Sequence, residues 1–157
     1  MDLFDEELLS LWHALDNNRV QYLMVGGFAI NLHGYQRFTG DVDLWIKDNR
    51  ENRQRIIDAL KSMGHKNYDA LLTTQLIPGW TSIKLNAGVE LDLMTYIHGL
   101  EQSDFDACYQ MASIFKIDQI QIPFLHINDL IRSKEKSDRL KDQADAEELK
   151  KIRDQSK

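Results

Sequence analysis

Asp41 and Asp43 are separated by one apolar residue in Asp41-Val42-Asp43-Leu44-Trp45-Ile46, and Glu90 and Asp92 repeat that spacing in Val89-Glu90-Leu91-Asp92-Leu93-Met94. On a strand, residues two apart point to the same face, with Cα atoms about 6.5 Å apart. Two carboxylates facing one way repel each other unless a cation neutralises them. Oxygen-only donors suit Mg²⁺, which takes one or two protein carboxylates and leaves its other positions to water and substrate phosphates. A third carboxylate would complete a two-metal clamp, with metals roughly 3.5–4 Å apart, that activates an attacking hydroxyl and stabilises the leaving oxygen. An acidic strand is also what a charged, solvent-facing sheet edge looks like. Val42, Leu44 and Ile46, however, make the opposite face apolar, so the acidic face must meet solvent or a cleft. Of the second pair, Asp92 lies between Leu91 and Leu93, where a charge is tolerable only with a partner. Glu90 lies nearer Gly88 and is expected to reach solvent or pair with Lys84.

A second feature is Gly26-Gly27, between the apolar run Val20-Gln21-Tyr22-Leu23-Met24-Val25 and Phe28-Ala29-Ile30-Asn31-Leu32-His33. Glycine lets backbone approach a ligand closely, and the first N–H groups of a helix have no internal partners. A strand–glycine–helix junction of this kind can cradle phosphate. By itself it also reads as a tight turn.

The elements that must position these residues follow from periodicity. Leu8, Leu11, Trp12 and Leu15 share one helical face over 5–17, and Asn17-Asn18 ends that helix. A strand over 20–25, a short helix closing at Gly34 and a strand over 41–46 come next. Ile56, Ile57, Leu60 and Met63 mark a helix over 50–63, with Gly64 suited to its C-terminal cap. Residues 65–79 carry no clear pattern beyond the turn signal Pro78-Gly79. Strands over 81–85 and 89–94 form a hairpin around Asn86-Ala87-Gly88. A helix over 103–112, short strands around Ile114 and Ile120, and closing helices over 127–136 and 138–153 complete the chain. This order predicts a single α/β (α+β) domain over 1–157, with a short mixed sheet flanked by helices and a helical segment at 126–157.

Composition narrows the class. The 157 residues are 43% hydrophobic and 28% charged, as in ordinary globular proteins. No apolar run approaches the roughly 20 residues that cross a bilayer. The acidic start Asp2, Asp5, Glu6, Glu7 is the reverse of a secretory signal, and a cytoplasmic setting is expected. Cys108 stands alone, so no internal disulfide or thiol cluster forms. Net charge is −6, yet residues 132–157 hold nine basic and seven acidic side chains, a tail that reads as a solvated, mixed-charge helix. An acidic body repels a nucleoside triphosphate unless metal ions stand between them.

Gly26-Gly27-Phe28-Ala29, His33-Gly34, Arg37, Thr39 and Asp41-Val42-Asp43-Leu44 resemble the signature of the DNA polymerase β-like nucleotidyltransferase superfamily. The spelling is similar to the branch of abortive-infection-type, toxin-like nucleotidyltransferases. Ile127-Asn128-Asp129-Leu130-Ile131, Lys134, Arg139, Lys141-Asp142 and Asp145 resemble that branch's closing helices. The resemblance implies that a nucleoside monophosphate moves from a nucleoside triphosphate to an acceptor, releasing pyrophosphate, with Mg²⁺ as cofactor. It places Asp41, Asp43 and Asp92 as metal-binding catalytic carboxylates, Asp92 also activating the acceptor. Gly26 and Gly27 would hold the triphosphate, Arg37 and Thr39 would lie beside the nucleotide, and Lys134 would meet phosphate. Gly27 stands where many members carry Ser, so its phosphate contact is expected from backbone alone.

Three functions remain open on these residues. One is a transferase acting on RNA or protein within a toxin–antitoxin or phage-defence pair, whose partner would be a cognate antitoxin or a second copy of the chain. Another is a transferase acting on a small molecule, as the antibiotic-resistance nucleotidyltransferases do. The third is a nucleotide-binding module that does not turn over. His13, His33, His65, His98 and His126 show no metal-ligand spacing, and Trp12 and Trp45 are expected in packing. Trp80, beside Pro78-Gly79, is also expected to pack, with base stacking as the alternative.

Overall fold

The computed structural model describes residues 3, 5–36, 38–76 and 79–156. Leu8, Leu11, Trp12 and Leu15 are all buried along α1 (Glu6–Asn17), as their spacing requires. Arg19 then adopts φ 55° and the chain enters β1 (Tyr22–Val25), whose four residues are all buried. Helix α2 (Gly26–Leu32) starts at the first glycine and not at Phe28. Gly26 has φ +71°, a left-handed conformation that turns strand into helix within one residue. Strand β2 (Asp41–Ile46) and helix α3 (Arg50–Ser62) follow, α3 being capped by the Asn49 side chain accepting from Asn52 N–H and followed by Gly64 at φ +94°.

Strands β3 (Trp80–Lys84) and β4 (Glu90–Met94) form the expected antiparallel hairpin around a 3₁₀ turn at Asn86–Gly88. Helix α4 (Phe105–Gln110) leads to a second antiparallel pair, β5 (Ser113–Ile117) and β6 (Ile120–Phe124). Helices α5 (Ile127–Glu135) and α6 (Leu140–Gln155) close the described chain and pack on each other. Residues 65–76 hold one short 3₁₀ turn, Asp69–Leu72, and Pro78 lies outside the described residues.

The six strands form one mixed sheet in the order β3-β4-β2-β1-β6-β5. Strand β1 runs antiparallel to β2 and parallel to β6, while β2 and β4 are parallel. This is the mixed α/β architecture expected from the element order. On one face Val42, Leu44, Ile46, Leu91 and Leu93 are buried, with Ile56 of α3 lining the same small cavity as Ile46 and Leu93. The other face is divided. Trp45 is fully buried there, its ring edge-on to Phe105 of α4 at 5.2 Å and its Nε1 donating to the Thr95 carbonyl. Asp41 and Asp43, earlier on the same strand face, are exposed and half-buried. The helical cover thus stops where the carboxylates begin. Among the described residues, no helix is long and apolar enough to cross a membrane.

Candidate functional site

Parallel pairing of β2 with β4 brings the two acidic strands into register: Asp41 lies opposite Glu90, and Asp43 opposite Asp92. The hairpin extends both rows to the sheet edge, where Lys84 faces Glu90 and Ser82 faces Asp92. Ser82 Oγ donates a hydrogen bond to Asp92 Oδ1. The Asp43 and Asp92 carboxyls lie close enough that a proton held between them is favoured over two bare charges. Burial first, then the charge and hydrogen bond of Asp92 and the charge of Asp41, push the Asp43 carboxyl up to about 7, while Lys134 acts against the shift. A carboxyl crowded in this way is short of positive charge. Among the described residues, no three His, Cys, Asp or Glu side chains converge as a group that could hold a metal ion; Asp43 and Asp92 converge as a pair.

The glycine pair has a packing reason that the sequence did not suggest. A Cβ on Gly26 would lie 2.1 Å from Asp43 Oδ2, and one on Gly27 would lie 2.6 Å from Thr39 Oγ1. Gly26 makes room for the carboxylate opposite Val25, and Gly27 makes room for Thr39. Thr39 is buried against that glycine, with its hydroxyl directed to the Asp41 carbonyl at 3.4 Å. It is not part of the cleft wall described next. Arg37 lies outside the described residues.

A cleft of about 370 Å³ opens beside the carboxylates. Val25, Gly26 and Asp43 of the sheet and glycine turn line it, together with Met94, Tyr96 and His98 and the two cations Lys134 and Arg139. Lys134 on α5 is held by α6, with its Nζ 3.0 Å from Asp142 Oδ1 and 3.4 Å from Asp145 Oδ2. Ser137 Oγ donates to the other Asp142 oxygen at 2.7 Å. Burial pushes the Asp142 carboxyl up, but the hydrogen bonds of Ser137 and Lys134 and the charges of Lys134 and Arg139 together hold it below the usual range. The mixed-charge tail is therefore not wholly a solvated helix: Asp142 and Asp145 are buried and fix the lysine that faces the cleft.

The structure brings together Gly26, Asp43, Asp92 and Lys134, with Asp41 at the exposed rim and Gly27 and Thr39 beneath. Sequence reasoning missed Ser82, Tyr96 and His98. Ser82 was within reach, because residues 82 and 92 stand equally far from the hairpin centre at 87. Tyr96 and His98 sit on an irregular connection after β4 that carries no periodic signal. His33, the other histidine near the glycines, is a packing residue: its Nε2–H donates to the Leu125 carbonyl at 2.8 Å and its ring lies 4.9 Å from Phe124. Desolvation, partly offset by that bond, lowers its pKa, so it is neutral near pH 7.

Residues 5–157 match the protein family described as "Nucleotidyl transferase of unknown function (DUF2204)". No curated protein matches the chain.

Proposed function

The chain belongs to this nucleotidyl transferase family, and we propose that it moves a nucleoside monophosphate from a nucleoside triphosphate to an acceptor hydroxyl, releasing pyrophosphate, with Mg²⁺ as cofactor. The observation that carries this reading is the pairing of Asp43 with Asp92 on adjacent parallel strands, with Asp43 lining the same cleft as Lys134. Two carboxyls crowded together by burial and mutual repulsion make an oxygen set that a hard divalent cation satisfies. Asp43 and Asp92, with Asp41 at the rim, are the residues that would hold Mg²⁺. When bound, the ion supplies positive charge against the phosphates and the developing charge on the leaving oxygen.

The protein's own groups do the rest. Lys134 and Arg139 place two cations in the cleft that Asp43 also lines, so a triphosphate lying there meets positive charge from the protein itself. Asp145 and Asp142 hold the Lys134 ammonium in place while leaving it partly exposed. Gly26 lets backbone lie close beneath Asp43 without a side chain between cleft and carboxylate. Asp92, on the strand nearer the sheet edge, takes the proton of the acceptor hydroxyl. Tyr96, 44% exposed at the cleft flank, offers a ring face to the base.

The finer placement, in the toxin-like branch with RNA or protein as acceptor and an antitoxin as partner, rests on the tail motif. What supports it is that Lys134, Asp142 and Asp145, the spelled residues of that motif, assemble into one buried network beside the cleft. The test is a label-transfer screen. The protein is incubated with each α-labelled triphosphate and Mg²⁺, then with RNA, protein lysate or small-molecule pools. Label appearing in RNA or protein supports the branch, label in small molecules moves the acceptor class, and no transfer with any triphosphate refutes the activity.

A further inference from the structure

On the reading just given, the carboxylate that activates the acceptor must receive a hydrogen bond from the acceptor hydroxyl. The protein already supplies one. Ser82 Oγ donates to Asp92 Oδ1, from the strand position directly across the hairpin. Ser82 is exposed, on the edge strand of the sheet, so the bond is made in the open and not in packed interior. Thr39, another hydroxyl near the carboxylates, is buried and directed to a backbone carbonyl. Hydroxyl, base and the carboxyl facing the cleft thus lie in one row across three strands: Ser82, Asp92, Asp43.

We propose that Ser82 is itself an acceptor, and that the protein nucleotidylates this serine in cis. A serine hydroxyl is a weak nucleophile until a neighbouring base takes its proton. In the step, a bond forms between Ser82 Oγ and the α-phosphorus of a bound nucleoside triphosphate. The bond from that phosphorus to the bridging oxygen breaks, and pyrophosphate departs with the electron pair. The hydroxyl proton passes to Asp92. The product is a phosphodiester on Ser82 that sits over Asp92 and occupies the acceptor side, so modification limits the protein's own further turnover.

The inference rests on the transferase reading, and one experiment separates the two. The purified chain is incubated with each of the four nucleoside triphosphates and Mg²⁺ and followed by intact-mass spectrometry and peptide mapping, with calorimetry reporting triphosphate binding. Expected is one nucleotidyl group per chain, mapped to Ser82, at a rate unchanged by tenfold dilution of the protein. Ser82→Ala, which lacks the attacking oxygen, should abolish the adduct. It should bind the triphosphate within about twofold of wild type, since the serine is an exposed side chain on the edge strand and does not line the cleft. Ser82→Thr, which keeps a hydroxyl, should restore the adduct. If the wild-type chain binds triphosphate with Mg²⁺ yet stays at its unmodified mass, or the adduct maps elsewhere, this inference falls alone. A rate that drops with dilution overturns the cis geometry. If no triphosphate binds, the transferase reading falls and takes this one with it.

Discussion

The backbone of Gly26 runs so close beneath Asp43 that a Cβ at position 26 would lie 2.1 Å from the Asp43 Oδ2 atom. Together with φ +71° at Gly26, this makes the glycine a structural support of the carboxylate before it is anything to a ligand. Gly26→Ala should therefore cost stability, about 1–3 kcal/mol from backbone strain, besides displacing Asp43. Chemical denaturation of the ligand-free protein checks this. Undiminished stability together with lost triphosphate binding would restore the glycine to a purely ligand-facing role.

Gly27 makes a separable prediction. Its missing Cβ is the space that Thr39 fills, so Gly27→Ala should destabilise and Thr39→Gly in the same chain should relieve much of the loss. A double-mutant cycle should give a coupling of about 1 kcal/mol or more, as for residues in direct contact. Additive effects would show that Thr39 gives way freely.

The crowding of Asp43 has a pH signature. Its carboxyl is raised from an ordinary 3.8 to about 7 in the folded protein. The folded state therefore holds a proton that the unfolded chain releases, and stability from this group is greatest in acid and lost as pH rises through 7. Asp43→Asn should accordingly raise the melting temperature at pH 8 by a few degrees and leave it nearly unchanged at pH 4. Mg²⁺ should raise the wild-type melting temperature at pH 8 and have little effect on the variant, because binding to the folded state stabilises it. Melting curves across pH with and without Mg²⁺ would contradict the account if the variant were the less stable at pH 8.

Lys134 carries the opposite sign. Lys134→Met removes the ammonium that Asp142 and Asp145 share and leaves Asp142 with Ser137 and the more distant Arg139, a loss of about 3 kcal/mol for a broken buried pair. Asp142 is held below its ordinary range, so the stability it contributes is present at neutral pH and lost as pH falls through its folded value. The gap between wild type and variant should therefore close in acid. A gap that stays constant with pH would place the cost in packing and not in charge.

Asp92 and Glu90 share a strand face but have different neighbours. Asp92→Asn should lower transfer by several orders of magnitude with triphosphate binding only modestly reduced, whereas Glu90→Gln should retain most activity. Single-turnover assays decide it, and the reverse ranking would move the site two residues along β4.

Much of this arrangement was legible in the residues. Leu8, Leu11, Trp12 and Leu15 announced α1, and Val42, Leu44 and Ile46 turned the aspartates of β2 toward open space, because burial of one strand face dictates the other. What was not legible depends on contacts distant in sequence. That Gly27 faces Thr39, or that Lys134 is gripped by two aspartates of α6, follows from how elements pack and leaves no periodic trace. The stretch after α3 was unreadable for a related reason. Tyr68 and Leu71 pack against the core without a periodic spacing, and Arg53 of α3 ties the stretch down by donating to the Leu71 carbonyl at 2.8 Å and to the Thr74 carbonyl at 2.5 Å.

If Asp43 and Asp92 make one divalent-cation site through which a triphosphate is held, triphosphate binding must depend on the metal. Calorimetric titration of a nucleoside triphosphate into the protein, with Mg²⁺ and then with chelator, tests it most directly. The account predicts binding with Mg²⁺, none measurable with chelator, and none in the Asp43→Asn, Asp92→Asn double variant, which should remain folded. Equal affinity in Mg²⁺ and chelator, or unchanged binding in the double variant, would contradict it.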